Sequence, residues 1–168
     1  GKPENCQGTT NGVKNIKRWI GDTKWDIIHF NFGLHDLKHV EPVTGKNSNN
    51  PDHPQQADLK QYKINLKEIV EVLKTTEAKL IFATTTPYPD DVGAPLRKPG
   101  MPEKYNQAAI KIMNKNGITI NNLYAFMKPR MKELQRPKNV HFTQEGSKAL
   151  AEKVAERIIA SPIESCKP

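Results

Sequence analysis

Two apolar runs with a long amphipathic segment between them decide the fold class of this chain. Residues 27–32, "IIHFNF", and residues 79–87, "KLIFATTTP", are short and β-rich, as buried strands of a parallel sheet are. The apolar residues between Leu59 and Leu73 recur at helical spacing, which predicts a helix from about Gln56 to Thr75. Strands joined by helices of this length form right-handed βαβ crossovers. We therefore predict an α/β fold, with α/β/α layers around a short parallel sheet.

The same spacing rules extend this pattern over the rest of the chain. No repeat or change in composition divides it, so residues 1–168 are predicted to form a single domain. The other predicted elements are a short helix with Val13, Ile16 and Ile20 on one face, a helix from Pro102 to Gly117, a strand in residues 118–124, "ITINNLY", and a final helix that starts near Thr143 and buries Leu150, Val154 and Ile158.

The charge of the chain excludes some partners. Its formal net charge is +8, which by itself would suit a polyanion. The basic residues, however, are spread over nearly every segment, without an arginine-rich tract or interleaved aromatic residues. No run of the sequence is apolar and long enough to cross a membrane. We expect neither a nucleic acid nor a membrane as partner.

Polar residues cluster where the predicted strands end. Ligands of parallel α/β sheets bind outside the carboxyl ends of the strands. The sequence there is Gly33-Leu34-His35-Asp36 after the first strand and Thr85-Thr86 after the second, and the loop before the last helix contains His141. These segments predict a pocket lined by Asp36, Thr85 and Thr86. For Asp36 we favour a structural role over a chemical one, with its carboxylate accepting backbone N–H groups of a turn.

Three blocks of the chain, in order and spacing, resemble the SGNH (GDSL-type) hydrolases. Residues 33–36 are similar to the Gly-x-Asn-Asp block of that family, and residues 139–154, "NVHFTQEGSKALAEKV", to its histidine block. Residues 5–13, "NCQGTTNGV", are similar to its glycine block. The resemblance covers most of the chain and implies the flavodoxin-like fold of the family.

The resemblance also implies roles for particular residues. In SGNH hydrolases a serine attacks an ester carbonyl, a histidine accepts the serine proton, and backbone and side-chain donors hold the oxyanion. His141 matches the histidine and Gly8 the oxyanion-hole glycine. His35 stands where the family has asparagine, and an imidazole N–H can donate to an oxyanion as an amide does.

The residue that orients the histidine is not where the family has it. Lys138 stands at the position of the expected aspartate, and a lysine cannot accept the Nδ1 proton of a histidine. We expect the acceptor to be a loop carboxylate such as Asp90 or Asp91, or a backbone carbonyl.

The nucleophile is also missing from its expected position. Gly21-Asp22-Thr23 imitates the family motif only in letters, because it ends a helix and precedes a strand. The serines of the chain lie in a polar loop, on the final helix or in the tail, none on a strand-to-helix elbow: Ser48, Ser147, Ser161 and Ser165. We therefore expect residues 1–168 to be the carboxyl-terminal portion of a hydrolase domain whose N-terminal strands and serine lie outside this chain.

Two functions from different classes follow. The first is an ester hydrolase that uses Ser/His chemistry, without metal or cofactor, on a small-molecule or carbohydrate ester with a small acyl group such as acetyl. The second is an inactive SGNH-like module that binds an anionic glycan or a protein. In either case we expect the strand at residues 27–33 to pair with the upstream segment or with a second copy of the chain, as a homodimer.

Cys6 and Cys166, one near each end, are the two cysteines of the chain. Chain termini often lie close together, and in the resembling fold both positions are near the strands that this chain lacks. We predict a disulfide between them and hence a secreted or periplasmic protein. Two thiols that titrate in the unreduced protein would contradict this pairing.

Overall fold

The computed structural model describes residues 4–161, and in this part of the chain helices alternate with short strands around a parallel sheet. The predicted α/β class is confirmed. The elements are α1 (Thr9–Ile20), β1 (Ile27–Phe30), α2 (Leu59–Lys74), β2 (Lys79–Ala83), α3 (Met101–Lys115), β3 (Thr119–Asn121), α4 (Leu123–Met127), a 3₁₀ turn (Lys128–Arg130), α5 (Met131–Leu134) and α6 (Gln144–Ile159).

The strands lie in the order β1-β2-β3, and both neighbouring pairs are parallel. Successive strand residues face opposite sides of a sheet. On one side Phe30 stacks edge-on against Phe82, with ring centroids 5.4 Å apart. This side joins the buried faces of α1, α2 and α3 in the main apolar core. On the other side Asn121 lines a shallow cavity together with residues of α6.

Capping side chains set element boundaries that differ from the predicted ones. The helix predicted from Gln56 begins at Leu59, because the Asp58 carboxylate accepts the N–H of Gln61 and caps α2. The strand predicted over residues 118–124 ends at Asn121, because the Asn122 side chain accepts the N–H of Ala125 and starts α4. Caps of this kind override the apolar periodicity at the ends of elements.

The final helix is buried less than predicted. The apolar residues Leu150, Val154 and Ile158 are only half-buried, and Gly146 is the buried residue of α6. The sheet of the described residues is three strands wide, so it offers too little surface to cover this helix face completely. No helix in residues 4–161 is long and apolar enough to cross a membrane. Cys6 is exposed, and Cys166 lies outside the described residues, so their pairing stays a prediction.

The strand β1 lies at one edge of the sheet and, among the described residues, pairs with β2 alone. An apolar groove of about 260 Å³ runs along it, lined by residues that include Trp19, Trp25 and Ile27. An uncovered edge beside an apolar surface favours pairing with another chain. We predict that the isolated chain associates at micromolar concentration unless an upstream segment covers β1. Light scattering measures this, and a cooperatively folded, monodisperse monomer of 19.0 kDa would contradict it.

Candidate active site

Three loops enclose a cavity of about 430 Å³. They are the segment after β1 with Leu34 and His35, the loop after β2 between Val92 and Arg97, and residues 138–141 before α6, with Asn5 nearby. The fold thereby brings His35 and His141 to the walls of one cavity, although they are far apart in the sequence. The cavity lies beyond the carboxyl ends of β1 and β2, which is where parallel α/β sheets bind ligands.

The loop that carries His141 is fixed from both ends. The buried Gln135 side chain donates from Nε2 to the carbonyl of Pro87, at 2.9 Å. At the other end the Thr143 hydroxyl accepts the N–H of Gly146 and caps α6. Between them, the N–H of Gly93 donates to the carbonyl of Lys138, at 2.8 Å, which joins two walls of the cavity. His141 is therefore held by its backbone on a short, anchored loop.

The His141 side chain itself is exposed, and its ring makes no hydrogen bond to any of residues 4–161. Its backbone N–H donates to Oδ1 of Asn139, at 2.9 Å. The expected orienting acceptor is not found in this range. Asp91 instead lies 3.9 Å from Nζ of Lys138, in an exposed ion pair. Asp90, Asp91 and the backbone carbonyls of the described residues make no contact with the His141 ring, and both loop acids are exposed, so the orienting residue stays a prediction.

His35 has the properties of an uncharged hydrogen-bond donor. The residue is half-buried, and its Nδ1 is buried without a partner among the described residues. Burial lowers the pKa of the imidazole, and the nearby charges of Lys38 and Arg97 lower it further. A neutral imidazole keeps one N–H, which can donate to a developing negative charge. Its position on the cavity wall suits the role that the sequence predicted.

Gly8 is the N-terminal capping residue of α1 and is buried. It does not line the cavity, and its N–H donates to no acceptor in residues 4–161. A Cβ at this position would lie 3.0 Å from Oδ1 of Asp36, so only a glycine lets the backbone approach this carboxyl without a shift. Because Gly8 does not line the cavity, its N–H is not placed at the site of an oxyanion, and the role implied by the resemblance stays a prediction.

The prediction that Asp36 lines the cavity is wrong. Its buried carboxylate instead holds the first turn of α1. It is fully buried, and its Oδ1 accepts the N–H of Thr9 at 2.8 Å and the Thr9 hydroxyl at 2.5 Å. Asn65 donates to the same hydroxyl, at 3.1 Å, and is itself held by Gln61. This network ties the start of α1, next to Gly8, to the segment that carries His35. These contacts agree with the structural role that the sequence favours for Asp36.

Thr85 and Thr86 are likewise absent from the cavity wall. Thr85 is buried, and the Asn106 side chain both accepts its N–H and donates to its carbonyl, each at 2.8 Å. Its Oγ1 would lie 2.1 Å from a Cβ at Gly33, whose φ of +150° also favours glycine. Thr86 is half-buried. Thr85 thus braces the turn at Gly33, because Asn106 of α3 holds its backbone against that turn.

The contacts of Asp36 predict a specific pH dependence. Burial, opposed by the two bonds from Thr9, raises the pKa of the carboxyl to about 6 from an ordinary value near 3.8. Between these values the folded protein keeps a proton that the unfolded chain has lost, so the contribution of Asp36 to stability falls as the pH rises from about 4 to about 6 and is level above. Asp36→Asn cannot titrate and should gain about 2–3 kcal/mol relative to the wild type over this range.

Urea unfolding of both proteins at several pH values measures this difference. The other titratable groups are common to both and largely cancel. A difference in the free energy of unfolding that stays constant from pH 4 to pH 7 would show that the Asp36 carboxyl is charged in the folded protein.

The cavity also contains residues that the sequence analysis missed. Arg97 is the chief one: it lines the cavity, is 7% exposed and comes from the long loop after β2. The sequence predicted only Thr85 and Thr86 at this rim after β2, since a single arginine among prolines and glycines gives no signal of burial. Asn5 and Asn139 also line the cavity and lie within the blocks that carry the family resemblance.

Comparisons with known proteins agree with this architecture. The family model of the GDSL-like lipase/acylhydrolases matches residues 5–154. A lipase/acylhydrolase from Enterococcus faecalis has a similar structure, with a TM-score of 0.72 and 19% identity, over 95% of this chain and 75% of that one. The acetyl xylan esterase AlAXEase is similar over 92% of this chain and 78% of its own, with a TM-score of 0.71 and 13% identity.

The acetylxylan esterase Axe2 of Geobacillus stearothermophilus has a TM-score of 0.62 and 18% identity, over 92% of this chain and 70% of its own. A comparison with curated protein sequences finds no significant match. Structural likeness at these identities establishes the fold, while the family model covers most of the chain. This chain belongs to the GDSL-like lipase/acylhydrolase family, a family of ester hydrolases.

Proposed function

We propose that this chain is the histidine-bearing part of an ester hydrolase that removes small acyl groups, acetyl above all, from a carbohydrate or similar substrate. The observation that carries the proposal is the shared cavity of His35 and His141, at the carboxyl ends of the strands in a chain of this family. The names of two similar structures, both acetyl xylan esterases, support the choice of acyl group and substrate class.

Each histidine has a distinct task in this proposal. His141, exposed on its anchored loop, accepts the proton of the attacking serine and returns it to the leaving alcohol. His35 stays neutral because burial and nearby cations lower its pKa, and its N–H stabilises the oxyanion of the tetrahedral intermediate. The N–H of Gly8, which has no acceptor in residues 4–161, is the second proposed donor, and it must reach the oxyanion from outside the cavity lining. Asp36 holds the first turn of α1, and hence Gly8, in register with the His35 segment.

The nucleophilic serine of the proposed reaction lies outside residues 1–168. None of the serines in residues 4–161 lines the cavity. The hydroxyl of Ser48 contacts Nδ1 of His53 at 2.8 Å within a loop, while Ser147 and Ser161 donate to carbonyls of their own helix turns. These hydroxyls serve local structure, which supports a serine from another stretch of polypeptide.

A fluorophosphonate probe, which labels activated serines, tests this arrangement. We expect no labelling of the 168-residue chain, and stoichiometric labelling of a version extended upstream by a strand and a serine-bearing turn. The extended protein should also release acetate from acetylated xylo-oligosaccharides. If the extended protein is folded but neither labels nor releases acetate, the chain is a binding module and the hydrolase proposal is wrong.

A further inference from the structure

The charged residues that line the cavity are all basic. Its lining includes Arg97, Lys138 and two histidines, and no aspartate or glutamate. Lys38 lies close enough to Arg97 for the two charges to affect each other, and the pKa of Lys38 is lowered by burial and by Arg97. Asp91 offsets part of this charge in its exposed ion pair with Lys138, at 3.9 Å, whereas no acid of the described residues pairs with Arg97. A site with such an excess of positive charge attracts anions.

Arg97 is the centre of this charge. Only 7% of the residue is exposed, and buried arginines are normally paired with an acid. No carboxylate of residues 4–161 lies within 4.0 Å of its guanidinium. Burying an unpaired charge is costly, which makes an acid supplied by a ligand favourable at this position.

The hydrogen bonds of Arg97 leave room for such a ligand. Nε donates to the carbonyl of Leu34, at 3.2 Å, and Nη1 donates to the carbonyl of Pro95, at 3.4 Å. These bonds use two of its five N–H donors and hold the guanidinium between two walls of the cavity. Nη2 donates to no described residue. A guanidinium held in this way can present its remaining donors to a carboxylate.

We propose that Arg97, with Lys138 at the rim, forms a subsite for a carboxylate of the substrate, so that the ester is carried by an acidic sugar, a uronic acid, rather than by a neutral one. This inference rests on the proposed function only in that the substrate is an ester. Binding of a carboxylate by Arg97 does not depend on the reaction. Because Leu34 precedes His35, the bond from Nε also places the bound sugar next to the proposed oxyanion donor.

Amide NMR titration of the 168-residue chain tests the subsite without any need for activity. The ligands are methyl glucuronide and, as a neutral match of the same shape, its methyl ester. We expect saturable shifts of the Gly93 and Val140 amides, and binding of the acid roughly tenfold or more tighter than binding of the ester, since hydrogen bonds to charged groups are stronger. Equal binding of the two ligands, or shifts confined to the lysines of α2 and α3, would overturn the proposal.

Variants assign the effect to its residues. Arg97→Gln should remove the preference for the acid, whereas Lys148→Gln, the same loss of a positive charge on the exposed face of α6, should leave it unchanged. Should Arg97→Gln fail to fold, Lys138→Gln replaces an exposed side chain and should weaken binding of the acid alone, by a few-fold. If glucose 6-phosphate binds to the cavity and glucuronide does not, the carboxylate assignment is wrong.

Failure of the proposed function and failure of the carboxylate subsite give different results. In the first case the acid binds but the extended protein releases no acetate. In the second case the extended protein releases acetate, yet the acid and its methyl ester bind equally.

Discussion

Replacement of His141 by alanine is expected to lower the rate of acetyl ester hydrolysis by about 10²–10⁴-fold in a protein that carries the serine, the range of general acid–base catalysis. His141 is the exposed histidine of the cavity, and its loop is anchored through Gln135 and the Thr143 cap. If His141 is the base, its loss leaves the serine without one, while the proposed oxyanion donors at His35 and Gly8 remain. Hydrolysis of p-nitrophenyl acetate measures the rate.

His53→Ala is the matched control. His53 is also a loop histidine, but it lies outside the cavity and contacts Ser48, so its loss should leave the rate unchanged. In the isolated 168-residue chain, we expect His141→Ala to hydrolyse the ester as fast as the wild type, because in the proposed arrangement neither carries the nucleophile. A substantial rate of the isolated chain that disappears in Ser147→Ala would refute both the proposed roles and the absence of the serine.

The second large effect is expected on stability, from Gly146→Ala. A Cβ at this position would lie 2.1 Å from the carbonyl oxygen of Leu134 and 3.0 Å from its carbon. Both are backbone atoms of the preceding helix and cannot rotate away. We expect overpacking to destabilise the protein by about 3 kcal/mol or more. For a domain of this size, that lowers the melting temperature by roughly 6–12 °C.

Thermal unfolding monitored by circular dichroism measures this change. Lys148→Ala, two residues further along the same helix and exposed, should stay within about 0.5 kcal/mol of the wild type. An unchanged melting temperature for Gly146→Ala would mean that α6 can move away from Leu134 without loss. Since α6 begins two residues after Phe142, a helix that moves in this way would also displace the loop that holds His141.

The sequence alone determined the fold class and the order of the elements. Apolar spacing over residues 27–32 and 59–73 distinguishes a buried strand from an amphipathic helix, and this information is local. The short blocks around Gly33 and His141 likewise point to the family, which the match over residues 5–154 confirms. Element ends were less predictable, as at α2 and β3, because single side-chain bonds from Asp58 and Asn122 set them.

The tertiary structure alone decided which residues form the cavity. Asp36, beside His35 in the sequence, turns inward to Thr9, while Arg97, in a loop without local pattern, enters the cavity wall. Asp91 meets Lys138 rather than His141. Each of these outcomes depends on contacts between segments that are distant in the chain. Periodicity reports how a residue is oriented within its own element, whereas burial, charge pairing and pKa depend on what the other elements place beside it.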